Sequence, residues 1–296
     1  MIATTRPLSS WQQRLGAYWR LVRLHRPIGT LLLLWPTLWA LFMAAGGWPG
    51  WYPVIAFSLG TLLMRSAGCA INDWADRDYD GHVERTRERP LARREIASWE
   101  AIAVFVVLSL VALPLVFPFG PLTWALAGVA AVLAGTYPFF KRFFAIPQAY
   151  LGIAFGFGIP MAFAAIRDTV PLSGWILLAG SICWTIAYDT EYAMVDREDD
   201  LKLGLRTSAI TFGRFDVAAV MIAYALALGL IAWAAAIEGL WPGIVVGLVP
   251  AAAIAVYHYT LIRDRDRAGC FKAFNHNTWF GAAVFGGVLA ALFLHR

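Results

Sequence analysis

Apolar residues in this chain come in long blocks, not in the short alternations of a soluble fold. Nine blocks can be drawn, at 28–47, 52–73, 99–117, 121–138, 146–165, 173–192, 215–236, 240–258 and 276–294. As helices rising about 1.5 Å per residue, these blocks approach or match the roughly 30 Å hydrocarbon thickness of a bilayer. A backbone in lipid has to satisfy its own N–H and C=O groups, so helices are the predicted spanning elements. Residues 10–24 break the pattern by interleaving Trp, Tyr and Leu with Arg. That suits either a helix lying in the membrane interface or a basic flank of the first span. The expected fold is an all-α integral membrane protein with nine transmembrane helices, one domain over 1–296, with 1–27 as an interfacial segment.

Composition agrees. Of 296 residues, 60% are hydrophobic and 15% charged, against roughly 25% charged in a soluble domain. The position of the charge says more than the net +5. The N-terminal tail and the loops after the second, fourth, sixth and eighth blocks hold 21 of the 24 Lys and Arg residues. Arg167 and Arg296 lie on the other side, and Arg65 falls inside the second block. The positive-inside rule then places the tail and those loops in the cytoplasm and the C-terminus across the membrane. Met1 to Arg26 is polar with five Arg, unlike a secretory signal. Cys69, Cys183 and Cys270 are widely spaced and read as apolar fillers, with no zinc or disulfide pattern. The expected partner is the lipid bilayer; no nucleic acid and no obligate protein partner is indicated.

Against this background two acid-rich stretches stand out, each directly after an apolar block. The first is Asn72-Asp73-Trp74-Ala75-Asp76-Arg77-Asp78-Tyr79-Asp80; the second starts at Asp189-Thr190-Glu191 and continues through Asp196 to Asp200. Offsets of four and seven return to one helical face. Asn72, Asp76 and Asp80 therefore form one ridge, and Asp189, Asp196 and Asp200 another. Each is followed by Arg-Thr, at Arg85-Thr86 and Arg206-Thr207. Like charges so spaced repel unless a cation sits between them, and the oxygen-rich set without a His/Cys cluster favours Mg²⁺ over zinc. Asp78, Glu84, Glu88 and Glu198 read as solvated loop charges.

Mg²⁺ completes its shell with water and substrate phosphates, so the ridges imply a phosphate-bearing ligand. Basic candidates for the same phosphates are Lys141 and Arg142, the arginines at 85, 87, 89 and 93, and Lys202 and Arg206. Arg65 lies seven residues before Asn72, about 10 Å deeper on the same face at roughly 1.5 Å per residue. A charge at that depth needs a partner or a wet cavity, so it is either a structural partner for an aspartate or an anion contact. Gly152, Gly156 and Gly158 permit close approach of a neighbour or a ligand. Together the parts describe an allylic diphosphate whose greasy tail lies in the bilayer, with charge on the departing diphosphate neutralised and the allyl cation shielded from water.

The string Asn72-Asp73-x-x-Asp76-x-x-x-Asp80 with Arg85-Thr86 and Arg89-Pro90-Leu91 resembles the first signature of the UbiA superfamily of intramembrane prenyltransferases. Tyr188-Asp189-Thr190 with Tyr192-Ala193-Met194-Val195-Asp196 and Asp200 resembles its second. Arg65-Ser66-Ala67-Gly68-Cys69, Tyr137-Pro138 with Lys141-Arg142, and Phe274-x-x-Asn277-x-Trp279-x-Gly281 are supporting matches. The phrasing of both signatures is most similar to the branch that prenylates 4-hydroxybenzoate in ubiquinone biosynthesis. The resemblance implies nine helices around a central cavity with cytoplasmic cap loops, in a bacterial inner membrane. It implies polyprenyl diphosphate and 4-hydroxybenzoate as substrates and Mg²⁺ as cofactor, held by Asn72, Asp73, Asp76, Asp80, Asp196 and Asp200. It assigns Tyr137, Lys141, Arg142 and Asn72 to substrate binding, and gives Arg65 and Arg26 the acceptor carboxylate. The ring carbon ortho to the hydroxyl would be attacked, with Asp189 or Asp196 taking the proton. Another aromatic acceptor or haem is the alternative within the superfamily. Outside it, an anion transporter would place its site at broken helices near the midplane. A CDP-alcohol phosphotransferase would continue Asp80-Gly81 with a Gly/Asp spacing that is absent.

Overall fold

The computed structural model describes residues 10–140, 144–202, 204 and 206–294. Its helices are α1 Trp11–Leu21, α2 Ile28–Ala45, α3 Trp51–Asp76, α4 Ser98–Ala112, α5 Pro121–Phe140, α6 Pro147–Gly156, α7 Gly158–Arg167, α8 Leu172–Lys202, α9 Ser208–Phe212, α10 Asp216–Ile237, α11 Val245–Ile262 and α12 Arg267–Leu294. No strand occurs among the described residues. Helix occupies most of each predicted block, though the 240–258 block becomes helical only from Val245, and eight segments are long and apolar enough to cross a membrane. The remaining block, 173–192, lies in α8, which runs on through the second acidic stretch. The outer faces remain apolar: Ile222, Leu226 and Trp233 of α10 and Val106, Val107 and Leu110 of α4 are all exposed. Such surface needs lipid around it, and the protein is a multi-pass membrane protein.

Two elements differ from the sequence expectation. The 146–165 block breaks at Phe157 into α6 and α7. The helix carrying the first ridge ends at Asp76, so Asp80 sits instead in a single 3-10 turn, Asp80–His82. α8 is continuous and carries Asp189, Asp196 and Asp200 on one rod.

α8 is the axis of the packing, touching α10, α6 and α12, while α11 lies against α12 and α2 against α7. Lipid supplies little driving force between helices, so close approach through small residues matters. A Cβ on Gly152 would lie 3.0 Å from the Ile182 Cα of α8, and one on Gly247 would lie 2.6 Å from the Gly287 Cα of α12. At Gly281 of α12 the space is filled by Trp35 and Trp184, and Trp39 Nε1 donates to the Gly281 carbonyl at 3.0 Å.

α1 starts at Ser10, whose hydroxyl accepts from Gln13 N at 3.2 Å. Its Ala17 and Leu21 are buried against Ala70, Leu91, Ile96 and Ala101. Arg14 pairs with Glu100 and Arg20 with Glu95, pinning the helix across the start of α4. Trp11, Leu15 and Trp19, at successive steps of four, point outward as an exposed apolar stripe. That is the face an interfacial helix presents to lipid.

Candidate active site

The last turn of α3 presents Asn72 and Asp76 to a cavity of about 1210 Å³, and the 3-10 turn adds Asp80. Across the cavity, α8 presents Tyr188, Tyr192, Asp196 and Asp200 at steps of four, with Asp189 beside them. Both ridges therefore face one chamber. Asp76, Asp80, Asp196 and Asp200 are each under 9% exposed, so their charge acts where water screens it little.

The loop 77–97 joins the two sides. Arg85 reaches from it to α8, placing Nε 2.8 Å and Nη2 2.5 Å from Asp196 Oδ2, with its guanidinium 4.3 Å above the Tyr192 ring. Burial and these partners oppose one another in Arg85: desolvation pulls against its charge, but Tyr192 and Asp196 raise its pKa above the ordinary value. Arg89 holds Asp80 at 2.8 Å and Asp73 at 3.1 Å. Thr86 donates to the Asp80 carbonyl at 2.9 Å, fixing the turn. Arg267, at the start of α12, donates to the Val195 carbonyl at 2.7 Å and pairs with Asp199 at 3.1 Å and Glu84 at 3.4 Å.

The structure brings Asn72, Asp76, Asp80, Asp189, Asp196, Asp200, Arg65, Arg26 and Tyr137 to the wall of this cavity. It does not bring Asp73 there: the side chain is buried behind the wall and pairs with Arg23 and Arg89. Burial opposes the Arg23 charge, yet Asp73 and its neighbours hold the Arg23 pKa above the usual arginine value. Lys141 and Arg142 lie outside the described residues. Arg26 sits exposed at the rim, in the turn between α1 and α2. Arg65 lies deep, against Gly29, where any Cβ would run into the guanidinium.

Sequence reasoning missed several residues. Arg23, Tyr188 and Tyr192 line the cavity; the last two were visible as the upward continuation of the Asp196–Asp200 spacing. Behind α8 lies a sealed polar group that line-by-line reading does not reveal. Tyr224 Oη is 3.0 Å from Glu191 Oε1, 2.8 Å from His258 Nδ1 and 2.8 Å from Asn277 Oδ1. Asn277 Nδ2 donates to Glu191 Oε2 at 2.8 Å, and Trp184 Nε1 donates to Asn277 Oδ1 at 2.9 Å.

Away from the acids the wall turns apolar. Ala127, Ala131 and Ala134 of α5 line one side, and Leu115, Phe117 and Trp124 lie toward the far ends of α4 and α5. The chamber thus joins a head lined by acids and arginines to a greasy channel. Its donor set fits Mg²⁺: all oxygen, with the acids split between two helix ends. Among the described residues no three His, Cys, Asp or Glu side chains form a cage of their own; Mg²⁺ ordinarily takes one or two carboxylates and completes its shell with phosphate and water.

The profile of the UbiA prenyltransferase family matches residues 33–291. A 4-hydroxybenzoate octaprenyltransferase of Cupriavidus metallidurans is 68% identical over 282 residues, covering 95% of this chain and 96% of its own. The fold is similar to the apo structure of a UbiA homologue from Aeropyrum pernix, with a TM-score of 0.76 at 22% identity over 88% of this chain and 96% of that one. A UbiA homologue from Archaeoglobus fulgidus, solved bound to GPP and Mg²⁺, superposes with a TM-score of 0.66 at 16% identity over 91% and 99%. With its two aspartate ridges facing one chamber and its profile matched across most of its length, the chain belongs to the UbiA prenyltransferase family.

Proposed function

We propose that the protein transfers a polyprenyl group from polyprenyl diphosphate to the ring carbon of 4-hydroxybenzoate ortho to the hydroxyl, releasing diphosphate, as a step of ubiquinone biosynthesis. The observation that carries this reading is the single cavity joining both aspartate ridges to an apolar channel. The 68% identity to the Cupriavidus octaprenyltransferase supports the choice of acceptor.

Asn72, Asp76, Asp80, Asp196 and Asp200 hold Mg²⁺ together with the diphosphate. When bound, the ion supplies neutralisation of charge on the departing oxygens. Arg85 and Arg89 stand at the same place and present guanidinium donors, whose fork geometry suits phosphate. Tyr137, with Lys141 and Arg142, completes the diphosphate contacts. The channel beside Ala131 takes the tail and keeps water from the allylic carbon. Arg65 and Arg26 receive the acceptor carboxylate. Asp189 or Asp196 accepts the ring proton. The chain acts as one unit in a bacterial inner membrane with nine crossings, its N-terminus and acidic loops cytoplasmic and α1 in the interface.

The test incubates membranes containing the protein with 4-hydroxybenzoate, a polyprenyl diphosphate and Mg²⁺. The expected product is the 3-polyprenyl acid, identified by mass and absent when EDTA is added. Prenylation of a different aromatic but not of 4-hydroxybenzoate overturns the acceptor assignment.

A further inference from the structure

Buried polar atoms nearly always find a hydrogen-bond partner, so those that do not need an explanation. Two of the orphans lie on the wall of the active-site cavity: Arg65 Nε on α3 and Tyr188 Oη on α8. Tyr188 is 1% exposed. Its ring is held edge-on to Trp184 at 5.3 Å and tilted against Phe274 at 6.2 Å, so the hydroxyl cannot swing away to find a partner. The nearby Thr185 hydroxyl donates to the Ser181 carbonyl at 2.9 Å and makes no well-formed hydrogen bond to Tyr188 Oη.

Depth identifies what belongs there. Tyr188 lies eight residues before Asp196, about 12 Å further into the membrane at roughly 1.5 Å per residue. Arg65 lies seven before Asn72, about 10 Å deeper by the same rise. The two therefore sit at similar depth below the acid ridges, one on α3 and one on α8, and both on the wall of the cavity. The apolar channel leaves along α4 and α5, so a greasy tail does not supply the missing partners. A small ligand with a polar group at each end does. Arginine suits a carboxylate, and a neutral phenol, which both donates and accepts, suits a hydroxyl. Asp189 follows Tyr188 directly and lines the same cavity. Placing the acceptor's hydroxyl end at α8 brings the ortho C–H toward that carboxylate.

We infer that Tyr188 Oη hydrogen-bonds the ring hydroxyl of the aromatic acceptor while Arg65 takes the carboxylate, which makes Tyr188 a specificity-determining residue. The inference rests on the proposed prenylation of 4-hydroxybenzoate. A site that hydrogen-bonds a substrate hydroxyl penalises an analogue lacking it, because its own buried group is then left unpaired.

The experiment uses Tyr188→Phe in the full-length protein. It reads the KM for 4-hydroxybenzoate, the inhibition constant of benzoate (which lacks the hydroxyl), the KM for polyprenyl diphosphate, and the thermal midpoint without ligand. The expected result is a loss of about fivefold for 4-hydroxybenzoate, the scale of one neutral hydrogen bond. Benzoate and diphosphate constants stay unchanged, and the midpoint rises because an unpaired buried hydroxyl has gone. Equal losses for 4-hydroxybenzoate and benzoate, or no loss for either, overturn the inference, as does a fall in the midpoint with unchanged ligand selectivity. If the Phe variant is not recovered, Tyr188→Met carries the same comparison, since the ratio of the two ligands cancels general damage. Wild-type protein that prenylates another acceptor but not 4-hydroxybenzoate defeats the functional reading itself, and the Tyr188 assignment with it.

Discussion

Asp196 shows how much one side chain is asked to do in this chamber. It is 6% exposed and carries a bidentate pair with Arg85, yet it faces the cavity we assign to the diphosphate. Removing one member of a buried pair leaves the other uncompensated, at a cost of about 3–5 kcal/mol. Asp76→Asn and Asp196→Asn are expected to abolish Mg²⁺-dependent turnover while the protein remains membrane-inserted, measured as product mass against extractable protein. Full activity in either variant sinks the metal assignment. Arg85→Gln separates two roles. It frees Asp196 for the ion and removes a phosphate donor, so half-saturating Mg²⁺ should fall while the KM for polyprenyl diphosphate rises about tenfold, the worth of one charge-assisted hydrogen bond. If both constants rise together, Arg85 does not compete with the ion. At this scale the aspartates were legible because helical period puts offsets of four and seven on one face. Asp73 was not, since its fate depends on Arg23, fifty residues earlier in the chain.

Each element owes its placement to contacts that no local pattern announces. α8 directs Asp189, Tyr192 and Asp196 into the cavity while Glu191, on its other face, is sealed among Tyr224, His258 and Asn277. Counting protons explains the group. Tyr224 has one hydrogen and three close neighbours, so at least two of those contacts must be donated to it. Asn277 Oδ1 only accepts, which leaves His258 Nδ1–H and a protonated Glu191 as the donors. A neutral carboxylic acid at that position makes Glu191→Gln a near-isosteric change, expected to keep both activity and thermal midpoint. Glu191→Leu strands Tyr224 and Asn277 and should lower stability by about 2–4 kcal/mol, as two buried groups lose partners. Its diphosphate KM should rise as α8 loses its phase. A destabilised Gln variant, seen as a lower midpoint in a thermal melt, contradicts the proton count. The sequence marked Glu191 only as one more acid, since helix period cannot say which of two faces meets a cavity and which meets α10 and α12. It also drew the first ridge as helix through Asp80, where Thr86 and Arg89 instead fold the chain into a 3-10 turn.

For the whole molecule, block length was enough to predict roughly where the helices fall, because a bilayer tolerates few other solutions. The course of the channel was not predictable, because it depends on which faces of α3, α4 and α5 turn inward. Ala127, Ala131 and Ala134 recur at helical spacing on the cavity side of α5, while Trp124 of α5 and Leu115 and Phe117 beyond α4 stand further along. Small side chains leave room there, which we assign to the prenyl tail. Filling that room should separate head recognition from tail accommodation. Ala131→Phe is expected to raise the KM for a long polyprenyl diphosphate by about tenfold or more, because an over-packed wall costs about 1–3 kcal/mol. A two-unit diphosphate such as GPP, with a far shorter tail to accommodate, should be turned over within about twofold of wild type on the same scale. Product masses from a mixture of chain lengths measure the shift directly. If long and short donors lose activity in equal proportion, the tail does not run along α5, and the exit must be sought on another face of the cavity.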